Sequence, residues 1–342
     1  MSSGTTQMRR EINEIPFAVD RLLTNGANAV AKTANAIREH DPGFLISVAR
    51  GSSDHACSYL KYASELLLGL PMASVGPSVK SIYGVGMRCP NALCISVSQS
   101  GQSPDIVQLT QSLTEGGSYS VAITNDTASA LAKVTSSALS LHAGAELSVA
   151  ATKTFVTSLV AGLWLLAEVK GDDELLSAIH NLPEVLSRAI TCDWGAVVEA
   201  VDGQSLFTLG RGMSWAISNE AALKFKETCQ IHAESYSSAE VLHGPVSIVE
   251  QGFPVIAFAS NDAAEANIAE VADALAAKGA KVFATTNRVK DAVALPHVRT
   301  SHWMTDPVAS IAAFYGMVET VATHRGINPD APRHLRKVTE TV

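Results

Sequence analysis

Along the chain, short continuous apolar runs alternate with stretches in which apolar residues recur at helical spacing. Phe44 to Ala49 (FLISVA) is such a run; it stops at Arg50-Gly51-Ser52-Ser53, and Asp54 to Leu68 then follows a helical period. Ala92 to Val97 (ALCISV) repeats the order, with the turn Ser98-Gln99-Ser100-Gly101-Gln102-Ser103 and then a helix opened by Pro104 and closed by Gly116-Gly117. A third apolar strand, Ser120 to Thr124, comes within a few residues. Upstream, Phe17 to His40 reads as one or two helices of mixed polarity with an interruption near Gly26. The strands lack period-two alternation, so both faces of their sheet are covered, and strands alternating with helices predict parallel βαβ units. The expectation is a doubly wound α/β domain.

The second half of the chain repeats the first. FLISVARGSS at Phe44 to Ser53 is echoed by SLFTLGRGMS at Ser205 to Ser214; Gly51 and Gly212 are 161 positions apart, as are Ser96 and Ala257. The strand Val121 to Asn125 finds its counterpart at Val282 to Asn287. Two tandem α/β units are therefore expected, an N-terminal helix plus first domain over 1–185 and a second domain plus C-terminal tail over 186–342, with the helical stretch Glu174 to Asp202 joining them and Pro183 near a helix start. The copies differ after their second strand. Ser98 to Ser103 carries three hydroxyls, whereas Ala259-Ser260-Asn261-Asp262 places a carboxylate there, so only the first copy suits an anion.

Composition narrows the classes. A chain of 342 residues with 47% hydrophobic and 17% charged residues is a cored globular protein of two-domain size. A net charge of −8 without any run of five like charges argues against a nucleic-acid groove or an anionic membrane surface. The five cysteines, Cys57, Cys89, Cys94, Cys192 and Cys229, form no C-x-x-C pair and lie among apolar neighbours, the pattern of buried thiols in a reducing cytoplasm. Met1 to Arg10 lacks the apolar core of a signal peptide, and Phe155 to Val169 is too short to span a bilayer and reads as a buried helix. A soluble cytoplasmic protein is expected.

The candidate chemistry starts at the serine turns. Ser98, Ser100 and Ser103, with the amides around Gly101, lie between a strand and a helix N-terminus, where hydroxyls and the helix dipole hold phosphate without Lys or Arg. The same residues also fit an ordinary serine-rich helix start with Ser103 as cap. Ser52 and Ser53 occupy the neighbouring turn, and in an open parallel sheet both turns open onto one crevice beyond the strand ends. G-x-G-x-x-G is absent there, which argues against nicotinamide. In the second half, Lys224 and Glu227 are i, i+3 neighbours on a helix, either a general base tuned by a cation or a solvated ion pair. His243 lies in a His-Gly-Pro turn before an apolar, strand-like segment, where an imidazole suits a proton shuttle. The ten histidines are dispersed and show no metal-ligand spacing, so neither a metal nor another cofactor is expected. Lys337, in the basic tail Pro332 to Glu340, is either a solvated charge or, if the tail docks, an amine able to meet a sugar carbonyl.

Taken together, Ser98-Gln99-Ser100-Gly101, Glu146-Leu147-Ser148-Val149-Ala150-Ala151-Thr152-Lys153, Leu223 to Glu227, His232-Ala233-Glu234, Glu240 to Pro245 and the Pro-Arg-x-Leu-x-Lys tail resemble the sugar isomerase (SIS) superfamily. More narrowly, the chain resembles the two-SIS isomerase half of glucosamine-6-phosphate synthase and the SIS-type glucosamine-6-phosphate deaminases. The resemblance implies two tandem flavodoxin-like, doubly wound parallel sheets sandwiched by helices. It implies a substrate and phosphate set of Ser52, Ser53, Ser98, Gln99, Ser100, Ser103, Glu146 and Val149. It implies that Glu227 moves a proton between C1 and C2, that His243 assists ring opening from a neighbouring subunit of a homodimer, and that Lys337 meets the carbonyl carbon with Lys224 close by. The implied activity is isomerisation and deamination of an amino-sugar 6-phosphate, glucosamine 6-phosphate to fructose 6-phosphate plus ammonia. A deglycase or isomerase for another phosphosugar, or a sugar-phosphate sensor, stands as the alternative. Three departures from the synthase stand out: the chain begins Met1-Ser2-Ser3-Gly4, an expectation of no glutaminase domain; Arg50-Gly51-Ser52-Ser53 stands where the synthase has a Cys-Gly-Thr-Ser type turn; and Gln102 replaces a common glutamate.

Overall fold

In the computed structural model, which describes residues 5–337, the chain divides into two compact units, each with its own five-stranded sheet. The first comprises 17–146, 153–180 and 336–337; the second comprises 5–16, 147–152 and 181–335.

The sheet of the first unit contains β1 (Phe44–Val48), β2 (Met72–Ser74), β3 (Ala92–Val97), β4 (Tyr119–Thr124) and β5 (Ser137–Ser140), in the order β2-β1-β3-β4-β5. All pairings are parallel, with Leu45 beside Met72, Ile46 beside Cys94, Ser96 beside Ala122 and Ile123 beside Leu139. Every residue of β3 is buried, as the continuous apolar run requires of a strand covered on both faces. The hydroxyls within this sheet find partners: Ser96 Oγ lies 2.7 Å from Thr110 Oγ1 on the helix Pro104–Glu115. The helix Ile15–His40 runs unbroken through Gly26, contrary to the interruption expected there. Val19, Leu22, Leu23, Val30, Ala34 and Ile37 form one buried stripe at helical spacing, and Gly26 falls on it, where a Cβ would come within 3.1 Å of Trp164.

The second unit repeats this topology with β6 (Ser205–Gly210), β7 (His232–Ser237), β8 (Pro254–Ala257), β9 (Lys281–Ala284) and β10 (Val293–Ala294), in the order β10-β9-β8-β6-β7, all parallel. Its core joins Phe207, Leu209, Val255 and Val282 from the strands to Ile268, Val271 and Leu275 from the helix Glu265–Ala276. The likeness of the copies extends to backbone angles. Gly51 precedes the helix Ser52–Leu67 at φ 57°, ψ −134°, and Gly212 precedes the helix Met213–Cys229 at φ 59°, ψ −135°.

Lys153–Lys170 is a buried helix, as its apolar run predicts, and among the described residues no helix is long and apolar enough to cross a membrane. The five cysteines are unpaired; four are buried and Cys192 is partly exposed. Burial pushes the Cys94 and Cys229 thiols up to about 12.

Candidate active site

The chain order of the first sheet reverses between β1 and β3, which are neighbours, and the turns that leave these two strands are those with the serines. Crevices beyond the strand ends at such a reversal are where open α/β sheets bind ligands. The turn 98–103 is held from behind. Gln99 O accepts from Asn125 N at 3.1 Å, Gly101 O accepts from Leu131 N at 3.0 Å, and Ser98 Oγ accepts from Gly101 N at 3.1 Å. Gly101 has φ 62°, and a Cβ there would lie 2.2 Å from Ser129 Oγ, so both its conformation and its closeness to the 124–131 segment demand glycine. Ser103 occupies the N-cap position of Pro104–Glu115, yet its side chain makes no capping hydrogen bond, unlike the ordinary serine cap. Ser52, Ser53, Gln99, Ser100 and Ser103 are half-buried, and Ser98 is buried.

An ion pair joins the first serine turn to the helix that follows the second. Arg50 donates through Nε to Asp105 Oδ2 at 2.5 Å, and its Nη2 lies 2.5 Å from the same oxygen, while Asp105 Oδ1 accepts from Ile106 N at 2.9 Å. Burial raises the carboxyl of nearby Asp54, against the opposing pull of His55 and Arg50.

Glu146 lies at the end of a clamped loop in the same unit. Four successive carbonyls before it accept side-chain donors: His142 O from Arg21 Nε at 3.1 Å, Ala143 O from Arg21 Nη2 at 3.0 Å, Gly144 O from Asn125 Nδ2 at 2.8 Å and Ala145 O from buried Lys153 Nζ at 2.6 Å. Thr154 N and Oγ1 donate to the Glu146 carboxylate at 3.1 and 2.5 Å, and Lys337 Nζ lies 3.0 Å from Glu146 Oε2. Lys337 is thus in an ion pair with a buried carboxylate, and the rest of the tail, 338–340, lies outside the described residues. Val149 is half-buried in the segment 147–152 of the second unit, whose Ser148 N donates to buried Glu11 at 3.2 Å.

The second unit holds the Lys224–Glu227 pair. On Met213–Cys229, Lys224 has no exposed surface; its Nζ contacts Glu227 Oε2 and lies 3.4 Å from Glu220 Oε1, which also accepts from Tyr315 OH at 3.2 Å. Burial works against the ammonium, but the two carboxylates more than offset it and hold Lys224 above the ordinary lysine range. Glu220 is wholly buried and the Glu227 side chain is 22% exposed, so Glu227 alone of the three reaches the surface of its unit. This is a buried trio, unlike the solvated surface pair that the spacing also allowed. His243 is exposed and follows the 3-10 turn Glu240–Leu242. The expected strand after it is instead a second 3-10 turn, Pro245–Ile248, since Pro245 and the positive φ of Gly244 favour a turn over an extended start.

The structure therefore groups Ser52, Ser53, Ser98, Gln99, Ser100, Ser103, Glu146 and Lys337 in the first unit, and Lys224, Glu227 and His243 in the second. Sequence reasoning missed Glu220, whose i, i+4 spacing to Lys224 was the available signal. It also missed Asp105, Thr154 and the clamp residues Arg21, Asn125 and Lys153, which carry no local motif. Among the described residues, no group of His, Cys, Asp and Glu has the arrangement of a metal site.

Residues 41–168 and 201–323 match the SIS domain family. The glutamine–fructose-6-phosphate aminotransferase (isomerizing) of Sulfolobus acidocaldarius is 30% identical over 96% of this chain and 56% of its own length. The chain thus spans about half the length of the curated relatives it matches. A crystal structure from Silicibacter pomeroyi DSS-3, bearing the provisional name phosphosugar isomerase, superposes with a TM-score of 0.93 at 62% identity, covering 95% of this chain and 100% of that one. The glucosamine-6-phosphate deaminase of Thermotoga maritima shares the fold, with a TM-score of 0.78 at 20% identity over 98% of this chain and 100% of its own. With two SIS segments that between them account for most of its length, the chain belongs to the SIS domain family.

Proposed function

We propose that the chain is a phosphosugar isomerase and deaminase that converts glucosamine 6-phosphate and water to fructose 6-phosphate and ammonia. The observation that carries this reading is the Glu220–Lys224–Glu227 trio, a buried ammonium locked between carboxylates of which one reaches the surface. Such a carboxylate has a fixed direction and a cation beside it, the requirements of a group that takes a proton from one carbon and returns it to the next. The serine turns hold the phosphate, with Ser52, Ser53, Ser98, Gln99, Ser100 and Ser103 around the positive end of Pro104–Glu115. His243, from a second copy in a homodimer, donates to the ring oxygen and opens the sugar; its exposure on its own chain agrees with that role. Glu227 removes the proton from C2 to give an enolamine and delivers it to C1. Water then adds to the resulting ketimine at C2, and ammonia leaves. Glu146 seats Lys337, whose amine faces the carbonyl end of the open sugar, and Val149 contributes to substrate binding. Acid–base and carbonyl chemistry by these side chains completes the sequence of steps. Unpaired cysteines fit action in the cytoplasm.

The test is release of ammonia and fructose 6-phosphate from glucosamine 6-phosphate without added glutamine. Equal amounts of both are expected, and Glu227→Gln lowers turnover about 10² to 10⁴ fold with phosphosugar binding retained. Full activity in that variant removes Glu227 from the mechanism. The departures at 50–53 and at Gln102 favour one second reading, a deglycase or isomerase for another phosphosugar such as fructosamine 6-phosphate or galactosamine 6-phosphate, and that substrate would then give product where glucosamine 6-phosphate gives none.

A further inference from the structure

Asp105 creates an electrostatic conflict at the serine turn. It lies two positions beyond Ser103, in the first turn of Pro104–Glu115, with its side chain wholly buried. A carboxylate there satisfies the positive end of the helix and so competes with any external anion for it. Asp105 Oδ1 in fact accepts from the helix's own Ile106 N at 2.9 Å. Left uncompensated, this charge repels a phosphate dianion bound at 98–103.

Arg50 is placed to cancel it. It is the second residue past β1, and β1 lies beside β3, so its side chain reaches the helix that follows the second serine turn. Nε and Nη2 both lie 2.5 Å from Asp105 Oδ2, and the Arg50 side chain remains 48% exposed. A guanidinium stays charged at every physiological pH, and here two of its donors converge on one carboxylate oxygen. Building on the phosphate site proposed above, we infer that Arg50 is a positioning residue whose charge neutralises Asp105 and so allows the serine turn to accept a dianion. The pair explains why this chain carries an arginine directly before Gly51-Ser52-Ser53.

The test is isothermal titration of the full chain with glucosamine 6-phosphate and with inorganic phosphate, for the wild type, R50Q, R50K, D105N and R50Q/D105N. R50Q is expected to weaken both ligands about ten- to a hundredfold, the scale of one unit charge a few ångströms away at a half-exposed site. R50K, which keeps the charge, binds within a few fold of the wild type. R50Q/D105N returns to within a few fold of the wild type as well, because the repelling carboxylate is gone, and D105N alone binds at least as tightly. Rescue by the second substitution separates neutralisation from a direct contact and from a folding defect. Wild-type affinity in R50Q, or a double variant as weak as R50Q, overturns the inference. If the wild type itself binds neither ligand, the phosphate site falls and the inference with it; if the wild type binds and only the pattern of variants differs, the site stands and the inference alone falls.

Discussion

Lys224 is buried in full between two carboxylates, one of them equally buried, and this fixes what its loss does. Removing one partner of a buried ion group leaves an uncompensated charge, so Lys224→Met is expected to lower unfolding free energy in urea by about 3–5 kcal/mol. The pH dependence has a definite sign. The folded-state pKa of Lys224 is raised, so its stabilisation is complete below the ordinary lysine value of about 10.4 and is lost only as pH rises through the higher folded value. The gap in stability between wild type and Lys224→Met therefore holds constant from about pH 7 to 9 and narrows at strongly alkaline pH; a gap that narrows on approaching pH 9 contradicts the arrangement. Half of this site was legible in the sequence. Lys224 and Glu227 stand out as a spaced pair, but Glu220, Lys224 and Glu227 together make a polar stripe that pattern reading assigns to solvent. The stripe is internal because Tyr315, on the helix Asp306–His324, covers it with a hydroxyl that bonds Glu220.

At the scale of elements, the twin glycines before the first helix of each copy offer a controlled comparison. Gly51 and Gly212 share φ near 58° with ψ near −134°, and neither has an atom within 4 Å of where a Cβ would stand. Alanine at either position therefore brings backbone strain without a clash, a cost of about 1–3 kcal/mol. Gly51→Ala and Gly212→Ala are expected to lose similar stability in urea, while only Gly51→Ala raises KM for the phosphosugar, since only its turn adjoins the serines 98–103. Gly212→Ala acts instead on kcat, through the helix that carries Glu227, and an equal rise in KM for both variants, measured beside their unfolding curves, would mean that the second copy also holds the phosphate. The core strands were legible because full burial on both faces leaves continuous apolar runs, as in β3. Strand β7 was not. Its sequence, His-Ala-Glu-Ser-Tyr-Ser, lies at a sheet edge with only Ala233 buried, and the helix before it ends at Gln230 in the left-handed region, with no glycine to mark the stop. Polar edge strands keep too few buried positions to imprint a pattern.

For the whole molecule, duplication poses the question of how many ligands one chain binds. The second copy retains the strand reversal between β6 and β8, yet there a carboxylate of the protein itself takes the amide of the turn. Asp306 accepts from Asn261 N at 2.8 Å and from Thr300 N at 2.8 Å, and Asp262 Oδ1 accepts from Ala264 N at 2.8 Å. Arg299, the nearby cation, is fully engaged with Ala259 O at 2.7 Å, Thr285 O at 3.0 Å and Glu265 Oε1 at 2.6 Å. A phosphate entering there meets Asp262 and Asp306 where the first copy offers hydroxyls beside an Arg50-paired Asp105, and must displace hydrogen bonds already made within the protein. The carboxylate at Asp262 was legible in the sequence; the part played by Asp306, 44 positions further along, was not, because only the folded chain brings it to the amide of Asn261. Titration calorimetry with a phosphosugar is accordingly expected to give one site per chain. A stoichiometry of two would show that Asp306 yields its amides to a ligand, and would make the second crevice a binding site in its own right.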